Sequence, residues 1–238
     1  MPSAAERADR LATVLLRWQP AYRLVSTRFP PIDLFERVAD PADWDALLAL
    51  ESMTNPRLRD AAGELQRVPP RDRVSGPGAS VIMAPFTHLH PDGSRFADAR
   101  QGAFYAAESL DTAIAETRHH RERFLRQTHE PPTILELRSY LVDVVGLFHE
   151  LRGRRDDPAL APLYDPDDYG ASQALARELR RRDADGLCYD SVRRPQGQCV
   201  AAFRPRLMSN LRQGAHLRYT WNGVRIDAVY EIRRLDAR

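Results

Sequence analysis

The chain has 238 residues, 43% of them hydrophobic, and a net charge of only +2. That length suits one large domain or two small ones with a sizeable core, and the near-neutral balance gives no pointer to a nucleic-acid or membrane partner. All 35 basic residues are arginine; arginine forks suit phosphate and carboxylate clamps, but in so arginine-rich a chain no single one is informative alone.

Apolar positions Leu11, Val14, Leu15 and Trp18 recur at helical spacing and predict a helix over residues 3–18, ended by Pro20. Ala21 to Val25 reads as a short strand, and Pro30-Pro31 break the chain again. Asp40-Pro41 is a helix start, with an acidic cap and proline at the first helical position; a second amphipathic helix is expected over 56–66. Pro69 to Gly78 is a Pro/Gly/Arg linker.

From Ser80 onward the pattern changes to strands and short helices. Val81-Ile82-Met83 and Gly102 to Ala106 are strand candidates, and Ser109 can cap a helix from Leu110 to about Gln127. Residues 133–137 and 141–144 read as strands, 169–182 as a charged helix, and 186–189 and 199–203 as strands again. The run Arg177 to Arg182 reads as a solvated helix face, and without interleaved aromatics it gives no nucleic-acid site. Gly214 to Ile232 forms a hairpin turning at Asn222-Gly223. The expected architecture is α+β: an N-terminal helical extension with the first strand over 1–80, and a mixed core over 81–238.

Two cysteines, Cys188 and Cys199, are too few for a disulfide framework and sit in apolar segments as buried thiols. Glu6, Arg7, Asp9 and Arg10 interrupt any signal-peptide core, and no apolar run reaches the roughly 18 residues of a membrane span. A cytoplasmic protein is expected. His88, His90, His119 and His120 have no convincing zinc spacing, so no metal is expected.

The residues that carry chemistry fall in two blocks. In the first, Ser94-Arg95-Phe96 precedes Phe104-Tyr105-Ala106-Ala107-Glu108-Ser109 and Ala113-Ile114-Ala115-Glu116. In the second, Tyr189-Asp190-Ser191 follows Asp185-Gly186 and leads to Gly197-Gln198-Cys199. Taken singly, Arg95 is a loop arginine able to hold a diphosphate, Tyr105 a strand tyrosine, and Ser191 a turn hydroxyl. Periodicity leaves Glu116 between a surface glutamate and a carboxylate at a cleft beside the core.

In order and offset these blocks, with Tyr22-Arg23, resemble the RES domain family over about Ala21 to Pro205. Ser94 and Phe96 stand where the family pattern has glycine and tryptophan. The resemblance implies a split mixed sheet similar to ADP-ribosyltransferase toxins, with Arg23, Arg95, Phe96, Tyr105, Glu116 and Ser191 around an NAD cleft. It implies NAD as substrate and cleavage of the nicotinamide–ribose bond. The arginines would hold the pyrophosphate or ribose, Tyr105 would pack on the nicotinamide-ribose side, Glu116 would stabilise the charge developing on the ribose, and Ser191 would orient the ribose or the carboxylate. Water or phosphate would be the acceptor, and an Xre-like helix-turn-helix antitoxin the partner. A protein ADP-ribosyltransferase and an inactive RES-like binding module are the alternatives.

Overall fold

The computed structural model describes residues 2–27 and 64–233. Within them Ser3 opens a short helix α1 (Ala4–Asp9) through a capping box with Glu6, and the chain then extends into β1 (Thr13–Ser26). The predicted helix over 3–18 is therefore corrected. Leu16 is 4% exposed and its neighbour Leu15 51%, the two-residue alternation of a strand. Pro20 does not end the element. It sits where the register of β1 shifts between Trp18 and Ala21, a position where a missing N–H is tolerated.

Thus the largest element among the described residues of 1–80 is a strand of the main sheet, not a helix. The helix predicted from Asp40 lies outside the described residues, as does most of that over 56–66. Residues Leu65–Arg67 form a single 3-10 turn. Val81 to Met83, expected as a strand, lie in helix α2 (Ala79–Thr87). Ile82, Met83 and Phe86 are all buried there, and a short apolar run buried on every side has no period to read.

Next come β2 (Phe104–Ala107) and helix α3 (Leu110–Gln127). Ser109 caps α3 by accepting from the Thr112 amide. The two strands expected at 133–137 and 141–144 are one long strand, β3 (Thr133–Glu150), with a register irregularity at Arg138–Tyr140 where the sequence suggests a break. Helix α4 (Gly170–Arg181), β4 (Gly186–Asp190) and β5 (Gln198–Ala202) fall where expected. The hairpin is longer than predicted, with β6 (Met208–Trp221) and β7 (Ile226–Ile232). At its turn Asn222 Oδ1 accepts from the amides of Val224 and Arg225, and Gly223 adopts φ +93°.

The seven strands form one mixed sheet in the order β1-β2-β5-β4-β3-β6-β7, and β1 pairs with β3 as well. That extra ladder runs from Thr13↔His149 to Ser26↔Leu137, so β1, β2, β5, β4 and β3 close into a ring. The far edge of β3 is divided: Thr133–Val144 pair with β6, while His149–Glu150 pair in parallel with β4. The sheet forks there, and the β6–β7 hairpin leaves the ring.

Three apolar clusters follow from this geometry. One joins α2 to the ring through Phe104, Val142 and Phe148. Another packs α1 and α4 on β4 and β5 through Leu175, Leu179 and Leu187. The third seats α3 on the hairpin through Leu125, Leu217, Tyr219 and Trp221. Helix α3 thus packs on the hairpin cluster along its length, through Leu110, Ile114 and Leu125, while Ala113 faces the cluster on β2, β4 and β5, which decides where its polar face looks.

Candidate active site

The loop before β2 is built by hydrogen bonds that converge on one hydroxyl. Gly93 has φ +67°, and a Cβ there would lie 2.4 Å from the Ala97 carbonyl, so the turn needs glycine. The Ser94 amide donates to that carbonyl at 2.6 Å. Tyr105, on β2, brings its hydroxyl to 2.8 Å from Ser94 Oγ and accepts from the Phe96 amide at 2.8 Å. Gln173 of α4 donates to the Ser94 carbonyl at 3.1 Å. Burial raises the Tyr105 pKa above the usual phenol value, so the hydroxyl stays protonated.

This loop presents Arg95, which is 8% exposed. Its Nη1 donates to the carbonyls of Leu163 (3.0 Å) and Asp165 (2.7 Å), and its guanidinium lies over Tyr169, 4.7 Å from the ring centroid. One nitrogen thus anchors the fork and aims the rest of it. Arg23 is held similarly on β1. Its Nη1 donates to the Tyr105 carbonyl at 2.9 Å and it stacks over Phe104 at 4.6 Å. Its Nε is buried and has no hydrogen-bond partner among the described residues. Burial lowers its pKa to about 10, so it remains a cation at neutral pH.

Glu116, half-buried on α3, accepts a 2.6 Å hydrogen bond at Oε1 from Ser191 Oγ. The direction of that bond is fixed. The same Oγ accepts from the amides of Arg193 (3.1 Å) and Arg194 (3.0 Å), so its lone pairs are used and its proton goes to the carboxylate. Ser191 is 3% exposed and acts on the cavity only through Glu116.

Arg23, Ser94, Arg95, Tyr105 and Glu116 line one cavity of about 340 Å³, together with Tyr22, His90, His120, Tyr169, Tyr189 and Cys199. That size is in the range of small-molecule sites, as is the combination of aromatic walls with a few convergent polar groups. Among the described residues Glu116 is the one carboxylate on the lining, which also carries two arginines. Burial raises the pKa values of the Tyr189 hydroxyl and the Cys199 thiol well above their usual values, so both stay protonated.

Of the six residues singled out from sequence, four therefore line the cavity and Ser191 stands behind Glu116. Phe96 is a correction. It is fully buried, meets Tyr189 edge to face at 4.9 Å, and is absent from the cavity wall; of these successive loop residues Arg95 lines the cavity and Phe96 packs in the core. Arg180 is a second correction. The run Arg177 to Arg182 is not uniformly solvated, because Arg180 donates to the carbonyls of Phe96 (3.0 Å) and Gly102 (2.8 Å) and lies 3.7 Å from the Phe203 ring centroid. It braces the loop that carries Arg95.

Sequence reasoning missed Tyr22, Tyr169, Tyr189 and His120 as cavity residues. Tyr22 and Tyr189 stand beside Arg23 and Ser191 in the quoted blocks, and His120 lies one helical turn after Glu116; Tyr169 carries no such signal. Among the described residues no group of three or more His, Cys, Asp or Glu could hold a metal ion, and no helix is long and apolar enough to cross a membrane.

In fold the chain is similar to the crystal structure of the Mycobacterium tuberculosis MbcT–MbcA toxin–antitoxin complex, with a TM-score of 0.50, 92% of each chain covered and 15% identity. It is also 32% identical over 220 residues to the uncharacterized protein y4oC of Sinorhizobium fredii, covering 88% of this chain and 86% of that protein. The profile of the RES domain family matches residues 64–222: the chain belongs to the RES domain family.

Proposed function

We propose that this protein is a RES-type toxin that depletes NAD by cleaving its nicotinamide–ribose bond, with water or phosphate as acceptor, and that an Xre-like antitoxin neutralises it. Membership of the RES family supports the toxin reading, and the fold shared with a toxin–antitoxin complex supports an antitoxin partner. The observation that carries the chemistry is Glu116, held by Ser191 at 2.6 Å as the sole carboxylate among the described residues of a cavity with two arginines.

One carboxylate suits this bond. Ordinary glycosides need a second acid to protonate the departing oxygen. The nicotinamide of NAD is already cationic and leaves as a neutral ring, so no acid is required. Positive charge passes to the ribose as the bond breaks, and a fixed carboxylate stabilises it there. In many active sites preorganised charge of this kind contributes more to the rate than any other single effect. Ser191 takes one oxygen of Glu116 and leaves the other for the ribose. Arg23 and Arg95 hold the diphosphate, each already oriented by a backbone carbonyl, and the tyrosine rings give flat surfaces for nicotinamide. Arg23 stays a cation at neutral pH although burial lowers its pKa to about 10, and burial keeps the Tyr105 and Tyr189 hydroxyls protonated.

The test is nicotinamide release from NAD by purified protein, with and without phosphate, beside Glu116→Gln. The expected result is release by wild type and a fall of about a hundredfold or more in the variant, with unchanged thermal stability. A dependence on phosphate would name a phosphorylase, and label transferred to a protein would name a transferase. Equal rates from wild type and variant would remove Glu116 from the mechanism.

A further inference from the structure

Glu116 can stabilise the charge that develops on the ribose, but it does not explain how an acceptor water loses its proton. The groups on the cavity narrow the choice. Tyr105 has its hydroxyl committed to Ser94 and Phe96. Tyr189 and Cys199 are held protonated by burial. Ser191 gives its proton to Glu116. Two imidazoles remain, His90 and His120. His90 lies on the loop before Gly93, and its Nδ1 accepts from the Asp92 amide at 3.2 Å.

His120 is placed differently. It lies four residues after Glu116 on α3, so the two Cβ atoms are about 5–6 Å apart on one helix face. Both side chains line the same cavity. His120 is also exposed, so a water arriving from solvent meets it beside the carboxylate.

We propose that His120 is the general base that deprotonates an acceptor water, a role that rests on the NAD-cleaving reading above. An imidazole nitrogen takes the proton from the acceptor O–H. The freed oxygen pair forms the bond to the anomeric carbon, and the glycosidic electron pair leaves with nicotinamide as a neutral ring. The imidazolium then returns its proton to solvent.

The surroundings keep the ring in the form this step needs. Glu116, Arg123 and His119 act on it from its own helix, Arg193 from the loop after β4, and Arg95 from the loop before β2. Although part of the residue is open to solvent, desolvation of the ring beside the cavity wall is the main influence and lowers its pKa; the arginines add to this and Glu116 opposes it. The ring is therefore neutral at pH 7 and able to accept a proton.

The experiment is the pH profile of kcat for wild type, His120→Gln and His90→Gln, with NAD affinity measured by titration. Wild-type activity is expected to fall on the acid side as the base becomes protonated. His120→Gln should lose about 10²–10⁴ in kcat, lose that acid limb, and bind NAD as wild type does. His90→Gln should keep the limb. Azide, a nucleophile with no proton to give up, should restore the His120→Gln rate toward the wild-type azide rate. A His120→Gln enzyme with the wild-type rate and acid limb overturns the proposal, and so does a loss confined to NAD affinity. Wild type that releases no nicotinamide removes the underlying reading, an outcome distinct from a change in the variant alone.

Discussion

Two strand tyrosines, one in the hairpin cluster beneath α3 and one beside the cavity, show that the molecule is held together in different ways. Tyr219, on β6, is fully buried among Leu125, Leu137, Leu217, Trp221 and Ile226, and its hydroxyl has no hydrogen-bond partner among the described residues. Tyr105, on β2, is half-buried, and its hydroxyl joins Ser94 and Phe96 in one network at 2.8 Å each. The hairpin region is stabilised by apolar area. The cavity region is shaped by polar bonds between residues far apart in the chain, such as Arg23 with Tyr105 and Ser191 with Glu116. Stability and chemistry should therefore respond to different substitutions.

The largest expected effect is on the hairpin. Tyr219→Ala should cost about 3–5 kcal/mol, the usual range for emptying a buried aromatic site, as read from denaturant unfolding. Nicotinamide release per folded molecule should not change. Tyr219→Phe removes only a hydroxyl without a protein partner, so it should be neutral or slightly stabilising. A Tyr219→Phe loss as large as that of Tyr105→Phe would break the contrast between the two regions.

At the cavity, Ser191→Ala should act on both axes. It removes the acceptor of the part-buried Arg193 and Arg194 amides, at roughly 1–3 kcal/mol for the two hydrogen bonds together, and frees Glu116 to turn. A fall in kcat of about tenfold with NAD affinity intact would fit a positioning role, since an interaction felt in the transition state lowers kcat and kcat/KM together. A change confined to affinity would remove it. Tyr105→Phe comes next, at about 1–2 kcal/mol for the orphaned Phe96 amide. It should also weaken NAD binding, because the loop it staples presents Arg95. Unchanged binding in a titration would show that Arg180 and Gln173 hold the loop sufficiently by themselves.

The same contrast explains what can be read from sequence. The hairpin turn is legible because Asn222-Gly223 encodes its geometry locally, and α3 because Ser109 caps it. Arg95, Tyr105 and Glu116 can be grouped because loop, strand and helix follow one another directly, so their offsets carry the topology. β1 reads wrongly as a helix because Leu11, Val14, Leu15 and Trp18 fit a helical period within a short window, while the strand that forms buries Leu16 and exposes Leu15. Pairing with β3, more than a hundred residues away, settles that competition, and no local pattern encodes it. Phe96 is drawn to the site by its neighbour Arg95, yet adjacent side chains diverge. Tyr169 and Arg180 reach the site from α4 and its N-terminal edge, with no motif to announce them.

His119 offers the smallest and most specific test, since it lies on α3, the helix that both regions share. It lines a groove with Arg118, Arg193 and Arg194, and its Nε2 is buried without a partner among the described residues. Burial, reinforced by Arg193, lowers its pKa to about 4, against about 6.5 in an unfolded chain. Between those values the unfolded state binds a proton that the folded state does not, so stability declines as pH falls through this window. His120 and His149 are shifted the same way and will retain part of the slope. His119→Gln should therefore flatten, without abolishing, the fall in Tm between pH 7 and pH 5, with little change at pH 8. Parallel Tm curves for variant and wild type would mean that His119 is solvated in the folded protein and that α3 tolerates the charge.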